Sequence, residues 1–113
     1  MAKQDYSFQL TDQKYHKFLC VKPLLYPHLK IYVLKNKSSG PRITIRVSKK
    51  YVKLAVIRNF IKRRLVAAFR DSLYNQDIDV LLIISKKIRS AKNEISDILM
   101  QEWKLCINQL KKF

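Results

Sequence analysis

Ten cationic side chains crowd the stretch from Arg42 to Arg70 with no carboxylate among them: Arg42, Arg46, Lys49, Lys50, Lys53, Arg58, Lys62, Arg63, Arg64 and Arg70. Like charges at this density are costly to assemble unless phosphate groups neutralise them. Arginine grips phosphate through two parallel N–H donors, and Asn59 can add an amide donor between such contacts. A merely solvated helix face mixes glutamate with lysine at i,i+4 spacing, and that mixture is missing here. The chemistry this stretch suits is polyanion binding.

Other reactive residue types are sparse. His16 and His28 are isolated, and surface or loop roles suffice for them. Cys20 and Cys106 lie far apart in the chain; in a basic intracellular protein they are expected as reduced, partly buried thiols, and no C-x-x-C spacing supports a zinc site. Asp77 and Asp79 stand two apart at a strand start, where turn chemistry accounts for Asp77. No Ser-His-Asp set or paired carboxylates appear, so no protein side chain is expected to be catalytic. The single glycine, Gly40, rules out a Gly-rich phosphate cradle.

The whole chain repeats the message of its middle. Lys and Arg total 24 against 8 acidic residues, a net charge of +16 over 113 residues, and 48% hydrophobic residues can build one core. A single RNA-binding domain over 1–113 is expected. No apolar run reaches the roughly 18 residues that span a bilayer, and charged residues interrupt 1–20, so a cytoplasmic protein without membrane contact is expected.

Periodicity supplies the elements. Residues 11–19 read as a helix capped by Thr11. Leu29, Ile31 and Val33 alternate with Lys30, Tyr32 and Leu34 over strand 29–35. The turn Lys37–Ser38–Ser39–Gly40–Pro41 leads to strand Arg42–Val47, expected to return antiparallel, with Ile43, Ile45 and Val47 inward. Residues 52–73 are helical, with Leu54, Ile57, Ile61, Leu65 and Ala68 on one stripe. Asn59, Arg63 and Arg70 fall opposite that stripe, Arg58 and Lys62 flank it, and Arg64 lies close to its edge. Residues 78–84 form an apolar run suited to a strand covered on both faces, and Ser90 can cap a last helix reaching Leu110. The fold class is α+β: one sheet packed with helices.

The run VSKKYVKLAVIRNFIKRRLVAAFR, residues 47–70, resembles the central motif of the bacterial ribonuclease P protein family. Ser48, Lys49 and Lys50 match its Ser-Lys-Lys, Ala55 and Val56 its Ala-Val, and Arg58 and Asn59 its Arg-Asn. Lys62 and Arg63 match its later basic pair, and Phe69 and Arg70 its end. More loosely, Tyr15 and Leu19, the strand Ile31–Tyr32–Val33–Leu34 and the strand Asp79–Ile84 also follow the family pattern. Two departures stand out. Phe60 replaces the second arginine of Arg-Asn-Arg, and the loop before Arg58 is one residue longer, with Lys53 near the place of a family glycine. The Phe60 ring can stack on a base or pack against Val56 and the neighbouring strand; the frequency of aromatics in helix cores favours packing.

The resemblance implies an α-β-β-β-α-β-α order, a mixed sheet and a left-handed β-α-β crossover. It implies a subunit of a tRNA 5′-processing endoribonuclease in which RNA, with magnesium, performs the catalysis. Its partners would be the ribonuclease P RNA and precursor tRNA, with no obligate protein partner. Lys49, Lys50, Lys53, Arg58, Asn59, Lys62, Arg63 and Arg70 would bind the RNA subunit. The single-stranded 5′ leader would lie in a cleft between sheet and first helix, on Tyr15, Phe18, Lys30, Tyr32 and Arg46. Stacking platforms and cations suit a leader of variable sequence. Tyr15 and Phe18 read equally well as core, whereas Tyr32, opposite Ile31 and Val33, is the stronger platform candidate. Two other readings fit the charge: a ribosomal or other structural RNA-binding protein, and a DNA-binding regulator using 52–73 as a recognition helix.

Overall fold

A computed structural model describes residues 11–36, 40–73, 76–88 and 92–111. Its elements are helix α1 (Asp12–Leu19), strands β1 (Leu24–Leu25), β2 (Leu29–Lys35) and β3 (Arg42–Arg46), helix α2 (Ala55–Leu73), strand β4 (Ile78–Ile84) and helix α3 (Lys92–Leu110). The order is the expected α-β-β-β-α-β-α. Thr11 caps α1, its hydroxyl accepting the Lys14 N–H at 3.2 Å. Ser90 lies outside the described residues, as do Lys37, Ser38 and Ser39 of the expected turn.

The sheet runs β1-β2-β4-β3. β4 pairs antiparallel with β2, Ile31 opposite Leu82, and parallel with β3, Ile43 opposite Val80. β2 and β3 therefore run in opposite directions, as expected, but they are not hairpin partners because β4 lies between them. The near-continuous apolar run of β4, broken only by Asp79, explains its place. At an edge it would leave backbone donors and acceptors open, whereas in the centre both its edges and both its faces are covered. The β3-α2-β4 unit is the crossover between parallel neighbours.

One face of the sheet carries the main core. Leu29, Ile31, Val33, Ile43, Val80, Leu82 and Ile84 meet Ile61, Leu65, Phe69 and Leu73 of α2, and Leu99, Trp103, Cys106 and Leu110 of α3. The α2 stripe differs from the sequence expectation at its ends. The helix starts at Ala55, Leu54 before it is 48% exposed, and Phe69 and Leu73 complete the buried ridge. A ridge at four-residue spacing advances about 40° per step, so it winds around the helix and reaches Phe69 and Leu73. Trp103 joins the two helices: its indole N–H donates to the Leu65 carbonyl at 3.0 Å, and its ring stacks with Phe69 at 6.2 Å between centroids.

α3 also holds the turn between β1 and β2. Glu102, buried, accepts the His28 backbone N–H at 2.8 Å, and its second oxygen lies 2.6 Å from His28 Nδ1. Tyr26 donates its hydroxyl hydrogen to Gln109 Oε1 at 2.5 Å. Glu102→Ala leaves the His28 N–H without its acceptor and is expected to cost about 1–3 kcal/mol, measured by urea unfolding. A loss below about 0.5 kcal/mol would show that water replaces the carboxylate. Burial pushes the Cys106 thiol up to about 12, so this cysteine stays protonated and packs as an apolar residue. Cys20, at the end of α1 on the other face of the sheet, is exposed rather than partly buried.

Candidate nucleic-acid interface

β3 ends in a tight turn that launches α2. The Ser48 carbonyl accepts the N–H groups of Tyr51 (3.1 Å) and Val52 (3.0 Å), and the Ser48 hydroxyl accepts that of Lys50 at 3.1 Å. With Val52 buried, Lys49, Lys50 and Lys53 are turned to solvent at the head of α2. A depression of about 530 Å³ opens beside this turn, bordered by Arg46, Ser48, Tyr51 and Lys62. Lys62 also borders two shallow troughs on the outward face of α2. One, of about 470 Å³, lies among Val56, Asn59, Lys62 and Arg63; the other, of about 380 Å³, lies among Lys62, Arg63, Val66, Ala67 and Arg70. Small and aliphatic side chains floor the troughs and cations rim them, so a sugar–phosphate backbone can approach closely.

The ten cations do not all face solvent unopposed. Arg42 forms an ion pair with Asp79 of β4, its Nε 2.8 Å from the carboxylate. Arg64 reaches α3, where Nη1 donates to Ser96 Oγ at 2.7 Å and to Asp97 Oδ1 at 2.8 Å. Arg58 donates through Nη1 to the carbonyls of Val52 (2.9 Å) and Lys53 (2.8 Å), bracing the turn with one edge of its guanidinium. Arg70 sits 3.6 Å from Asp71, a long pair in water and therefore weak. Among the described residues no ion pair engages Arg46, Lys49, Lys50, Lys53, Lys62 or Arg63. The unopposed set is thus smaller than the sequence suggested, because folding brings carboxylates from β4 and α3 to a segment that contains none.

On the opposite face of the sheet, α1 covers only part of the surface. Register aligns three rows across β2, β4 and β3: Lys30–Ile83–Arg46, Tyr32–Leu81–Thr44 and Leu34–Asp79–Arg42. Tyr15 of α1 stands over the first rows, with the Arg46 guanidinium 5.7 Å from its ring centroid, within cation–π range. Lys30 lies across Ile83 from Arg46, 5.6 Å from the Tyr32 ring. Tyr15, Lys30 and Arg46 are therefore gathered beside α1. Phe18 and Tyr32 are not available in the same way. Phe18 is 0% exposed and Tyr32 5%, both packed with Leu81 beneath α1. A base cannot stack on a ring whose faces are already in contact, so these two serve as the packing contact of α1 with the sheet.

The network around Asp79 escaped the reading of the residues. Its carboxylate is fully buried and takes the Arg42 guanidinium through both oxygens, the Lys14 ammonium of α1, and the Asn36 amide at 2.9 Å. Burial alone would push this carboxyl up, but the hydrogen bonds from Arg42, Lys14 and Asn36 outweigh it and hold the group below the ordinary carboxylate range. A lone acidic residue on a strand expected to be covered on both faces was the signal, since a buried carboxylate requires cationic partners. Lys14 and Arg42 reach it: Lys14 ties α1 to the sheet, and Arg42 ties β3 to β4. Asp77 acts at long range and not in a turn of its own: it accepts the Gly40 N–H at 2.9 Å, 37 residues away, where Gly40 adopts a φ of +74°.

Phe60 differs from expectation too. It is 47% exposed instead of packed, and its neighbour Val56 is 78% exposed. The Arg64 guanidinium lies 5.8 Å from its ring centroid.

Comparison with known proteins gives one answer. The family model described as Ribonuclease P matches residues 22–110. The ribonuclease P protein component of Pseudoalteromonas atlantica is 32% identical over 92 residues, 80% of this chain and 77% of that protein. The corresponding Vibrio parahaemolyticus protein is 38% identical over 69 residues, so the match spans 60% of this chain but only 58% of that relative's length. The solved Staphylococcus aureus RNase P protein shares the fold, with a TM-score of 0.69 and 21% identity over 96% of this chain and 97% of that one. The motif leading into α2, the sheet order and these matches converge: the chain belongs to the ribonuclease P protein family.

Proposed function

We propose that the chain is the protein subunit of ribonuclease P, assisting RNA-catalysed removal of the 5′ leader from precursor tRNA. The observation that carries this reading is the outward face of α2, where Asn59, Lys62, Arg63 and Arg70 rim troughs without a carboxylate. That face and the turn bearing Lys49, Lys50 and Lys53 bind the RNA subunit through its phosphates. Arg58 contributes the guanidinium edge that the turn leaves over. The leader lies on the other face of the sheet, beside α1, against Tyr15, Lys30 and Arg46.

The work of the protein is electrostatic and positional. Magnesium bound with the RNA would supply the activated water, and this chain's residues bind and position the RNA, none of them being assigned to the metal. In this reading the protein acts in the cytoplasm on the precursor tRNA pool; no helix among the described residues is long and apolar enough to cross a membrane. A helix–turn–helix regulator would place a helix just before its recognition helix, whereas Arg42–Arg46 is a strand.

Reconstitution tests the proposal. The pure chain, added to a bacterial ribonuclease P RNA at low magnesium, is expected to restore leader cleavage. Absence of stimulation, or equal binding of precursor and mature tRNA by the complex, would favour a structural RNA-binding protein. Tyr15→Ala is expected to weaken precursor binding about 5- to 100-fold, the loss of one stacked base, while the complex with the RNA subunit assembles as before. Loss of assembly in this variant would move Tyr15 from the leader to the fold.

A further inference from the structure

Resting on the reading of α2 as the RNA-binding helix, we infer that Phe60 is a base-stacking platform: α2 binds an unstacked nucleobase as well as phosphates. Val56, Phe60, Arg63 and Ala67 follow one another at four-, three- and four-residue steps and so share one side of the helix. Burial predicts the opposite of what Phe60 does. An aromatic ring leaves water readily, yet this one is 47% exposed, and Val56, one turn earlier, is 78% exposed. Two large apolar side chains thus stand together in water.

Cations surround the patch. Arg64 lies 5.8 Å from the ring centroid and is held there by Ser96 and Asp97 of α3. Arg63, without an ion-pair partner among the described residues, rims the trough it shares with Val56 and Asn59. A protein partner would need carboxylates around an apolar plug to match this setting. An RNA strand offers both required parts in one covalent unit, phosphate for Arg63 and Asn59 and an aromatic face for Phe60. Rows on adjacent turns of a helix lie about 5–6 Å apart, so a nucleotide can reach from one to the other. Every base has a π-face, so the platform selects for an unpaired base and not for its identity.

Salt separates stacking from charge. Binding of a bacterial ribonuclease P RNA transcript is measured across a salt series for the parent chain, Phe60→Ala, Phe60→Trp and Arg63→Ala. Phe60→Ala is expected to lose about 5- to 100-fold in affinity with the log–log salt slope unchanged, because stacking releases no counterion. Phe60→Trp is expected to keep the affinity and to lose indole emission on binding RNA; the native Trp103 is fully buried and supplies a constant background. The same variant should be quenched by a uridine oligomer but not by an abasic ribose–phosphate chain of equal length. Arg63→Ala, in contrast, flattens the slope.

Affinity unchanged in Phe60→Ala while Arg63→Ala flattens the slope would overturn the stacking platform and leave α2 as the RNA helix. No effect of either variant would remove both. Self-association of the parent chain that vanishes in Phe60→Ala, with RNA affinity intact, would make the patch a protein contact and also overturn the inference. Unchanged thermal melting of Phe60→Ala, expected for an exposed residue, confirms that each outcome concerns binding.

Discussion

Replacing Lys62, Arg63 and Arg70 together by alanine is expected to weaken binding to ribonuclease P RNA by about 100-fold at 0.15 M salt. Each phosphate contact contributes about 0.7–0.9 to the log–log salt slope, so three contacts contribute roughly 2–3. Between 1 M and 0.15 M salt that slope accumulates to roughly two decades in affinity. The fold should tolerate the change: none of the three belongs to the buried ridge of α2, and the one ion pair among them, Arg70 with Asp71, is long and exposed. Filter binding at several salt concentrations gives both quantities, and the two must move together. A 100-fold loss with an unchanged slope would mean that the helix had been disturbed and not discharged. An unchanged affinity would mean that the RNA lies elsewhere.

The second large effect concerns stability. Asp79→Ala removes the carboxylate shared by Arg42 and Lys14 and is expected to cost about 3 kcal/mol near neutral pH. Breaking a buried pair ordinarily costs about 3–5 kcal/mol, because the surviving charge is stranded. Here the low end applies, since the side chains of Arg42 and Lys14 retain 32% and 25% of their exposure and can regain water. The sign of the pH dependence follows from the depressed folded value. The stabilisation is complete above the unfolded value of 3.8 and is lost as the pH falls through the lower folded value. Urea unfolding should therefore show a gap between parent and variant that is constant from neutral pH to about 5 and closes only below the ordinary carboxylate range. A gap that persists at full size in strong acid would assign the loss to packing, not charge. Because Lys14 ties α1 to the sheet, the variant should also bind precursor tRNA less well while keeping its affinity for the RNA subunit through α2.

In the proposed reading the two faces of the sheet divide the work. α2 and α3 pack against one face and leave the outer side of α2 to solvent, while α1 covers part of the other, with Tyr15 and Arg46 in contact beside it. β3 is an edge strand whose end belongs to both: Arg46 reaches Tyr15 and also borders the depression that leads to Lys62. In the proposed reading this edge would connect the RNA-subunit surface with the leader surface, as positioning a substrate on a ribozyme requires.

Much of this was legible in the chain itself. Three-to-four-residue spacing from Ile57 to Ala68, alternation from Leu29 to Leu34 and the near-continuous apolar run 78–84 determined the elements and their order, because burial periodicity is a local property of sequence. The acid-free run from Arg42 to Arg70 determined the class of partner, since charge sums without regard to fold. The tertiary structure alone decided which of those cations are spent. Asp79 and Asp97 lie 37 and 33 residues from Arg42 and Arg64, and no local pattern reports such a meeting. It also decided that β4 parts β2 from β3, that Phe18 and Tyr32 are covered by α1 packing, and that Phe60 stands in water. Each of these depends on what another element covers, and coverage is settled only when the whole chain competes for the same core.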